Sequence, residues 1–156
     1  MSLKAGVHQK GTYTLQDAIN NIKQDPNYPK AGAISVFIGV VRGETTDGAK
    51  VEKLELEAYE EKANQILNQI CDDLSKRPGI VNVQIHHMLG EFSVGEEMVY
   101  VVVAGSHRTD LFTVLREAVE RYKKEAPIFK KERIVDSQGV TQEYWVSEKE
   151  KHANTY

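Results

Sequence analysis

Four basic side chains within one stretch of the sequence have the types and spacing expected of an anion site. His107 and Arg108 follow an apolar run at residues 98–104 and precede a segment of helical periodicity. Free N–H groups and the dipole at a helix start favour anions, so His and Arg there suit a phosphate or carboxylate. Lys123 borders the apolar face of the predicted helix, and Lys130 follows just beyond it. Lysines crowded by apolar neighbours lose protons readily, so either could act as an acid, base or nucleophile.

Simpler interpretations of the same residues remain open. Lysine is by default a solvated surface residue, and His107–Arg108 could be a helix start with incidental charge. Arg42 ends a predicted strand beside a polar loop at residues 43–48, but surface arginines are common. His86 and His87 have no acidic or cysteine partner at ligand spacing, so we expect structural histidines and no metal. Cys71 falls on an apolar helix face, which indicates an inert buried thiol.

The distance between the two ends of the predicted helix limits what one chain can do. If the helix runs unbroken from Arg108 to Lys123, fifteen residues at about 1.5 Å each separate them by roughly 22 Å. One small ligand does not span that distance within a single chain. The two clusters therefore belong to different sites, or a symmetric dimer brings Arg108 of one subunit to Lys123 of the other.

The helices and strands that must position these residues are predicted from the spacing of apolar residues and from the Pro and Gly residues that interrupt it. Apolar residues at helical spacing predict helices over 14–24, 60–76 and from residue 108 to 125 or 126, where Pro127 ends the last one. We expect Ser106, Thr109 or Asp110 to cap the start of that helix. A buried strand is predicted over 32–42, with a bulge or a close backbone approach at Gly39. Further strands are predicted over 51–59, 80–88, 98–104, 128–135 and 141–146. The run at 98–104 is apolar without interruption, which indicates a central strand. The punctuation at Gly90 predicts a turn over 89–97, and Trp145 is interpreted as a packing residue. The order favours an α+β fold with mostly antiparallel strands over a doubly wound parallel sheet.

Length and composition predict one ordinary globular domain over residues 4–156. The chain has 156 residues, a formal net charge of −3 and one cysteine. A single cysteine excludes an intrachain disulfide, and the charge argues against bulk binding of nucleic acid. The absence of a signal-like or membrane-spanning run predicts a cytoplasmic protein. Residues 1–3 resemble a cloning remnant, and the charged tail at 148–156 is expected to fray.

Taken in order, the motifs resemble the large, catalytic subunit of molybdopterin synthase. The resemblance covers about residues 32–146. It rests on Phe-Ile-Gly-Val-Val-Arg at 37–42 and on His87 followed by Gly-Glu-Phe at 90–92 and Gly-Glu at 95–96. It rests above all on Ser-His-Arg at 106–108. A predicted helix with Lys123 near its end follows, and after it comes Pro-Ile-Phe-Lys-Lys-Glu at 127–132.

The resemblance implies a sulfurtransferase of molybdenum cofactor biosynthesis. That family converts cyclic pyranopterin monophosphate to molybdopterin, taking sulfur from the C-terminal glycine thiocarboxylate of a small ubiquitin-like partner subunit. It implies an α/β hammerhead with additional antiparallel strands, and a homodimer of large subunits within a heterotetramer. By matching position, it implies catalytic roles for Lys123 and Lys130. It implies substrate-binding roles for a further set: Arg42, His107, Arg108, Phe37 and Lys131. The anionic substrate and donor suit these cations independently, and no cofactor or metal is required.

Two alternative functions, neither of them enzymatic, would use the same residues. A non-catalytic phosphate- or pterin-binding regulatory module would bind without turnover. A nucleic-acid-binding protein would use the basic run at 123–133 and show steeply salt-dependent affinity. The sequence leaves open which lysine reacts first, whether a covalent intermediate forms, how the two sulfurs are delivered in turn, and what residues 4–31 do. Lys149 is the nearest candidate for a further basic residue that the resemblance implies after Trp145.

Overall fold

The structure is a computed structural model that describes residues 4–146, so the expected remnant at residues 1–3, the expected frayed tail and Lys149 lie outside the described residues. Three helices and a short 3-10 turn at Tyr28–Lys30 connect seven strands. In chain order the elements are β1 Ala5–Gln9, α1 Leu15–Lys23, β2 Ala33–Val40, β3 Lys50–Ala58, α2 Glu60–Ser75, β4 Ile80–Ser93, β5 Glu97–Gly105, α3 Arg108–Glu125, β6 Ile128–Val135 and β7 Thr141–Trp145.

The strands form one sheet in the order β2-β5-β4-β3-β6-β7, and β1 joins beside β4. The pairings are antiparallel apart from the parallel pairing of β1 with β4. The predicted α+β class is therefore confirmed, and each predicted strand and helix is present within a few residues of its expected bounds. The sequence did not predict β1, because five residues are too few to establish an alternating pattern.

Strand β4 is longer than predicted, and the turn expected over residues 89–97 is confined to residues 94–96. Gly90 has φ of +127°, a value that side-chain-bearing residues rarely adopt, yet it lies within the strand. Before Gly90 the strand pairs with β1 and β5, and from Gly90 onward it pairs with β3. Gly90 thus lets one strand change partners, and the chain turns only after Ser93.

Helices cover both faces of the sheet around β4 and β5, since successive residues of a strand point to opposite faces. His86 contacts Tyr13, just before α1, whereas the neighbouring His87 packs edge-to-face on Tyr122 of α3. Strand β5 is buried from Met98 to Gly105. Burial on both faces explains its uninterrupted apolar sequence and fixes the strand that leads into α3.

Strand β2 was expected to be buried and instead lies at the edge of the sheet. Ile38 and Val40 are 37% and 42% exposed. The apolar composition of β2 resembles that of a central strand, and sequence alone does not show which strands lack a second neighbour. The predicted bulge is confirmed, because the register with β5 shifts between Gly39 and Val40. Among the described residues, no helix is both long and apolar enough to cross a membrane.

Candidate functional site

Three predicted cations converge near the junction of β2, α3 and β6. Arg42 follows β2, Lys123 lies in the last turn of α3, and Lys130 is the third residue of β6. Arg42 and Lys130 line one concavity. The charge of Arg42 also acts on Lys123, where it contributes to a lowered pKa. Three segments that are distant in sequence thus bring their positive charges to one place.

The pKa of Lys123 is lowered from 10.5 to about 8, chiefly because its half-buried position disfavours the charged form. The nearby Arg42 guanidinium is the second cause. At pH 7.5 a group with a pKa near 8 is neutral in about a quarter of molecules, against about 0.1% for an ordinary lysine. Lys123 can therefore both give and accept a proton near neutral pH, as an acid/base residue must.

Alternation along β6 separates the two neighbouring lysines. Lys130 shares the inner face of the strand with Glu132, and both line the concavity beside Arg42. Lys131 points to the opposite face, where its ammonium lies 3.6 Å from a carboxylate oxygen of Glu143 and 5.8 Å from the centre of the Trp145 ring. The structure therefore does not bring Lys131, expected to bind substrate, together with the other cations.

Acidic and apolar groups complete the wall of the concavity, and the sequence analysis did not single them out. Glu132 is buried and accepts a hydrogen bond of 2.6 Å from the Tyr144 hydroxyl. Glu44 and Val146 line the same concavity, which encloses about 30 Å³. That volume admits about one water molecule. The alternation of Lys130 with Glu132 was the available signal, but it depends on knowing which face of β6 is inward.

A tightly packed turn presents His107 and Arg108 at the other end of α3. The Ser106 N–H donates to the Gly79 carbonyl at 2.8 Å, and the Ser106 hydroxyl donates to the Lys30 carbonyl at 3.1 Å. A Cβ at Gly105 would lie 2.6 Å from the Gly79 carbonyl oxygen, so a side chain there would displace the turn. The backbone between strand and helix is held in place on both sides.

The helix start differs from the expected capping. His107 occupies the N-cap position and makes no side-chain capping bond, so the predicted caps Ser106, Thr109 and Asp110 are wrong. The Ser106 hydroxyl is directed to the Lys30 carbonyl and is not available to cap the helix. The side chains of His107 and Arg108 are both exposed. They therefore face outward from one chain.

Helix α3 runs unbroken from Arg108 to Glu125. Fifteen residues at about 1.5 Å each place Arg108 roughly 22 Å from Lys123, so a single chain does not bring the two clusters together. Phe37, expected to bind substrate, lies opposite Val101 in the middle of β2 and is half-buried against the core. Within the described part of one chain, the assembled group is Arg42, Lys123 and Lys130.

The other reactive side chains have structural environments. His86 is fully buried, with hydrogen bonds of 2.9 Å to His8 and Gln84 and 3.1 Å to the Tyr13 hydroxyl. Burial raises the pKa of the Cys71 thiol well above its ordinary value, as expected of an inert cysteine. Trp145 was interpreted as a packing residue, but it is 50% exposed, so that interpretation is wrong.

Fold and geometry together define an α+β domain with a cluster of three cations, one of them half-buried, at the end of a helix. The family model described as MoaE protein matches residues 8–125, more than half of the chain. The chain therefore belongs to the MoaE protein family.

Relatives and solved structures agree with this membership. The chain is 39% identical to the Aedes aegypti molybdopterin synthase catalytic subunit 1, over 79% of this chain and 78% of that protein. It is 36% identical to a probable molybdopterin synthase of Haloferax volcanii over 87% of this chain, but it spans only about half (51%) of that longer protein. The crystal structure of molybdopterin synthase from Staphylococcus aureus matches with a TM-score of 0.75 and 33% identity, covering 91% of this chain and 96% of that one. The fold that the resemblance implied is thereby confirmed.

Proposed function

We propose that this chain is the catalytic subunit of a molybdopterin synthase, a sulfurtransferase that converts cyclic pyranopterin monophosphate to molybdopterin. Sulfur comes from the C-terminal thiocarboxylate of a small ubiquitin-like partner subunit. Residues 4–156 act as one domain, in the cytoplasm. The observation that carries the proposal is Lys123, half-buried beside Arg42 and with a pKa lowered to about 8, next to a concavity that Lys130 lines.

The cations have distinct roles in this proposal. Lys130 and Arg42 attract the negatively charged end of the partner into the concavity, where partial desolvation strengthens the interaction. Lys123 transfers protons as sulfur replaces oxygen on the substrate, because it is available in both protonation states near neutral pH. Glu132, held by Tyr144, lines the same concavity and balances part of its positive charge.

A homodimer would complete the site. The concavity of one chain is too small to enclose a pterin, and His107 and Arg108 lie roughly 22 Å away from Lys123. The exposed edge strand β2 and Phe112, which is 61% exposed, offer an apolar surface for a second copy. In a two-fold dimer, His107 and Arg108 of one subunit would bind the substrate phosphate beside Lys123 of the other. Two small partners on such a dimer make a heterotetramer.

The catalytic proposal is tested by measuring dithiolene formation from cyclic pyranopterin monophosphate with thiocarboxylated small subunit. Lys123→Ala should abolish or severely reduce turnover and leave the fold intact, because a lysine at a pocket edge contributes little core packing. Near-normal turnover would contradict the role of Lys123. Binding of the substrate by the wild-type protein without any turnover would support the rival non-catalytic module.

Mixing two inactive variants tests the shared site. Lys123→Ala and Arg108→Ala subunits, unfolded and reassembled together, form mixed dimers in which one of the two sites is intact. Random assembly should restore about a quarter of wild-type activity, since half of the dimers are mixed and each has one working site. Recovery of no activity from well-folded mixed dimers would show that both residues do not serve one intersubunit site.

A further inference from the structure

The Lys10 side chain contacts a motif that contributed to the family resemblance and that the proposed chemistry does not use. The motif comprises Gly-Glu-Phe at 90–92 and Gly-Glu at 95–96. Lys10 follows β1, and its ammonium lies 2.5 Å from a carboxylate oxygen of Glu96. The same ammonium donates to the Glu91 carbonyl at 2.9 Å and lies 5.1 Å from the centre of the Phe92 ring. One side chain from the N-terminal segment therefore contacts both halves of the motif.

The Glu96 carboxylate belongs to the tight turn between β4 and β5. The Glu96 N–H donates to the Ser93 carbonyl at 3.1 Å, and Gly95 between them has φ of +85°, a value that glycine adopts without strain. The Glu96 oxygen that pairs with Lys10 also accepts a long hydrogen bond, 3.4 Å, from the Ser93 N–H. Lys10 is thus joined to the turn through the side chain that closes it.

That turn holds the backbone immediately before Arg42. Val41 follows the last residue of β2 and is buried. Its N–H donates to the Glu96 carbonyl at 3.0 Å, and its carbonyl accepts from the Gly95 N–H at 2.8 Å. On the other side of Arg42, β3 donates to the Gly43 carbonyl at 2.9 Å. The arginine therefore has a backbone anchor on each side, and the turn provides the first of them.

We propose that Lys10 is a positioning residue for the cationic site, because by fixing the turn it holds Val41 and keeps the Arg42 side chain directed into the concavity. The inference rests on the proposed function, in which Arg42 attracts the negative end of the partner. Lys10 acts through Arg42 and not on the reacting atoms. This gives a role to part of the N-terminal segment, whose function the sequence left open.

The contacts of Lys10 exceed those of an ordinary surface ion pair. The Lys10 and Glu96 side chains are 43% and 39% exposed, so the ion pair alone would contribute little. The Glu91 carbonyl and the Phe92 ring fix the ammonium further, through a hydrogen bond and a cation–π contact. Loss of Lys10 should therefore weaken recognition of the partner about 3- to 10-fold, which is less than the effect of losing Arg42 itself.

The pKa of Lys123 provides a spectroscopic test, because the Arg42 charge contributes to lowering it. If the arginine moves away, the pKa of Lys123 should rise in both Lys10→Met and Glu96→Gln. NMR of the Lys123 Cε resonance in uniformly labelled protein measures this. Charge alone predicts opposite signs, since removing a cation would raise that pKa and removing a carboxylate would lower it. A rise in both variants supports the positioning role, and a fall in Glu96→Gln would overturn it.

Steady-state turnover tests the same contacts in the reaction. Lys10→Met should raise the KM for thiocarboxylated small subunit about 3- to 10-fold and change kcat less, because Lys123 keeps its place. The double variant Lys10→Met/Arg42→Gln should be no worse than Arg42→Gln alone, since Lys10 acts only through Arg42. Lys10→Arg should keep most of the wild-type affinity, because it retains the cation.

Lys53→Met is the matched control. The Lys53 side chain is 45% exposed and lies 3.3 Å from a carboxylate oxygen of Glu91, so it pairs with the same motif outside the turn. The substitution removes one positive charge, as Lys10→Met does. It should change neither the KM for the small subunit nor the pKa of Lys123 by a comparable amount.

The possible outcomes separate this inference from the proposed function. If the wild-type protein produces no dithiolene, the proposed function fails, and the pKa of Lys123 in the two variants decides the inference by itself. If Arg42→Gln raises the KM and Lys10→Met does not, only the positioning role fails. Losses that add in the double variant would show that Lys10 acts by another route, and they would likewise overturn the inference.

Discussion

Replacing Lys123 by methionine should make the protein more stable while it loses activity. Methionine keeps an apolar chain of similar length and removes the ammonium group whose burial is unfavourable. The pKa of Lys123 falls from 10.5 to about 8, which corresponds to at most about 3.4 kcal/mol at 1.36 kcal/mol per pH unit. Because the side chain is only half-buried and solvent screens it, we expect Lys123→Met to gain about 1–2 kcal/mol in free energy of unfolding at pH 7.

The pH dependence of that gain has a defined sign. The folded-state pKa lies below the unfolded-state pKa, so between pH 8 and 10.5 the unfolded chain binds more protons than the folded chain. Wild-type stability should therefore rise with pH across this window relative to Lys123→Met, and the difference should close toward pH 10.5. Below pH 8 the difference should be constant, because Lys123 is charged in both states.

Urea denaturation of both proteins from pH 7 to 10 measures this directly. The matched control is Lys124→Met, at the next position of α3 and exposed, which should change neither the stability nor its pH dependence by a comparable amount. The reasoning is refuted if Lys123→Met is no more stable than wild type at pH 7, or if its advantage stays constant up to pH 10. Turnover of the same variant should be lost, because methionine transfers no proton.

Three further predictions address other residues. Arg42→Gln should raise the pKa of Lys123 but leave it below 10.5, since burial is the larger cause; NMR of ¹³C-dimethylated lysines measures this, and an unchanged value would exclude the coupling. Burial lowers the pKa of His86 to about 3, so acidification from pH 6.5 to 5 should cost about 2 kcal/mol of stability as the unfolded chain takes up a proton. His86→Gln should flatten this acid slope in urea titrations, and an unaltered slope would contradict the assignment. Cys71 should resist iodoacetamide until the protein unfolds, because its thiol is buried and its pKa raised; rapid alkylation of the native protein would contradict this.

The sequence predicted the local elements well because short-range chemistry specifies them. Helix α3 ends at Glu125 because Pro127 prevents its continuation. The uninterrupted apolar run of β5 correctly indicated a strand buried on both faces. The motifs at 37–42, 87–96, 106–108 and 123–132, taken in order, were also enough to indicate the family.

Other properties depended on pairing between distant segments. Glycine is typical of turns, so Gly90 indicated a turn in the sequence. Only the exchange of pairing partners along β4 shows that the strand continues through it. The apolar sequence of β2 does not reveal that one of its edges is unpaired. The short β1 has no periodic signal, and it is a strand because β4 offers it a parallel neighbour.

For the site, too, the sequence determined one part and the tertiary structure determined the rest. The sequence placed Lys130 and Lys131 side by side, and the sheet then turned one inward to Arg42 and the other outward to Glu143. A residue type determines what chemistry a side chain can perform, so the cations were visible from the sequence alone. Which cations share a cavity, and how far burial shifts the pKa of Lys123, depends on the positions of strands and helices that are far apart along the chain.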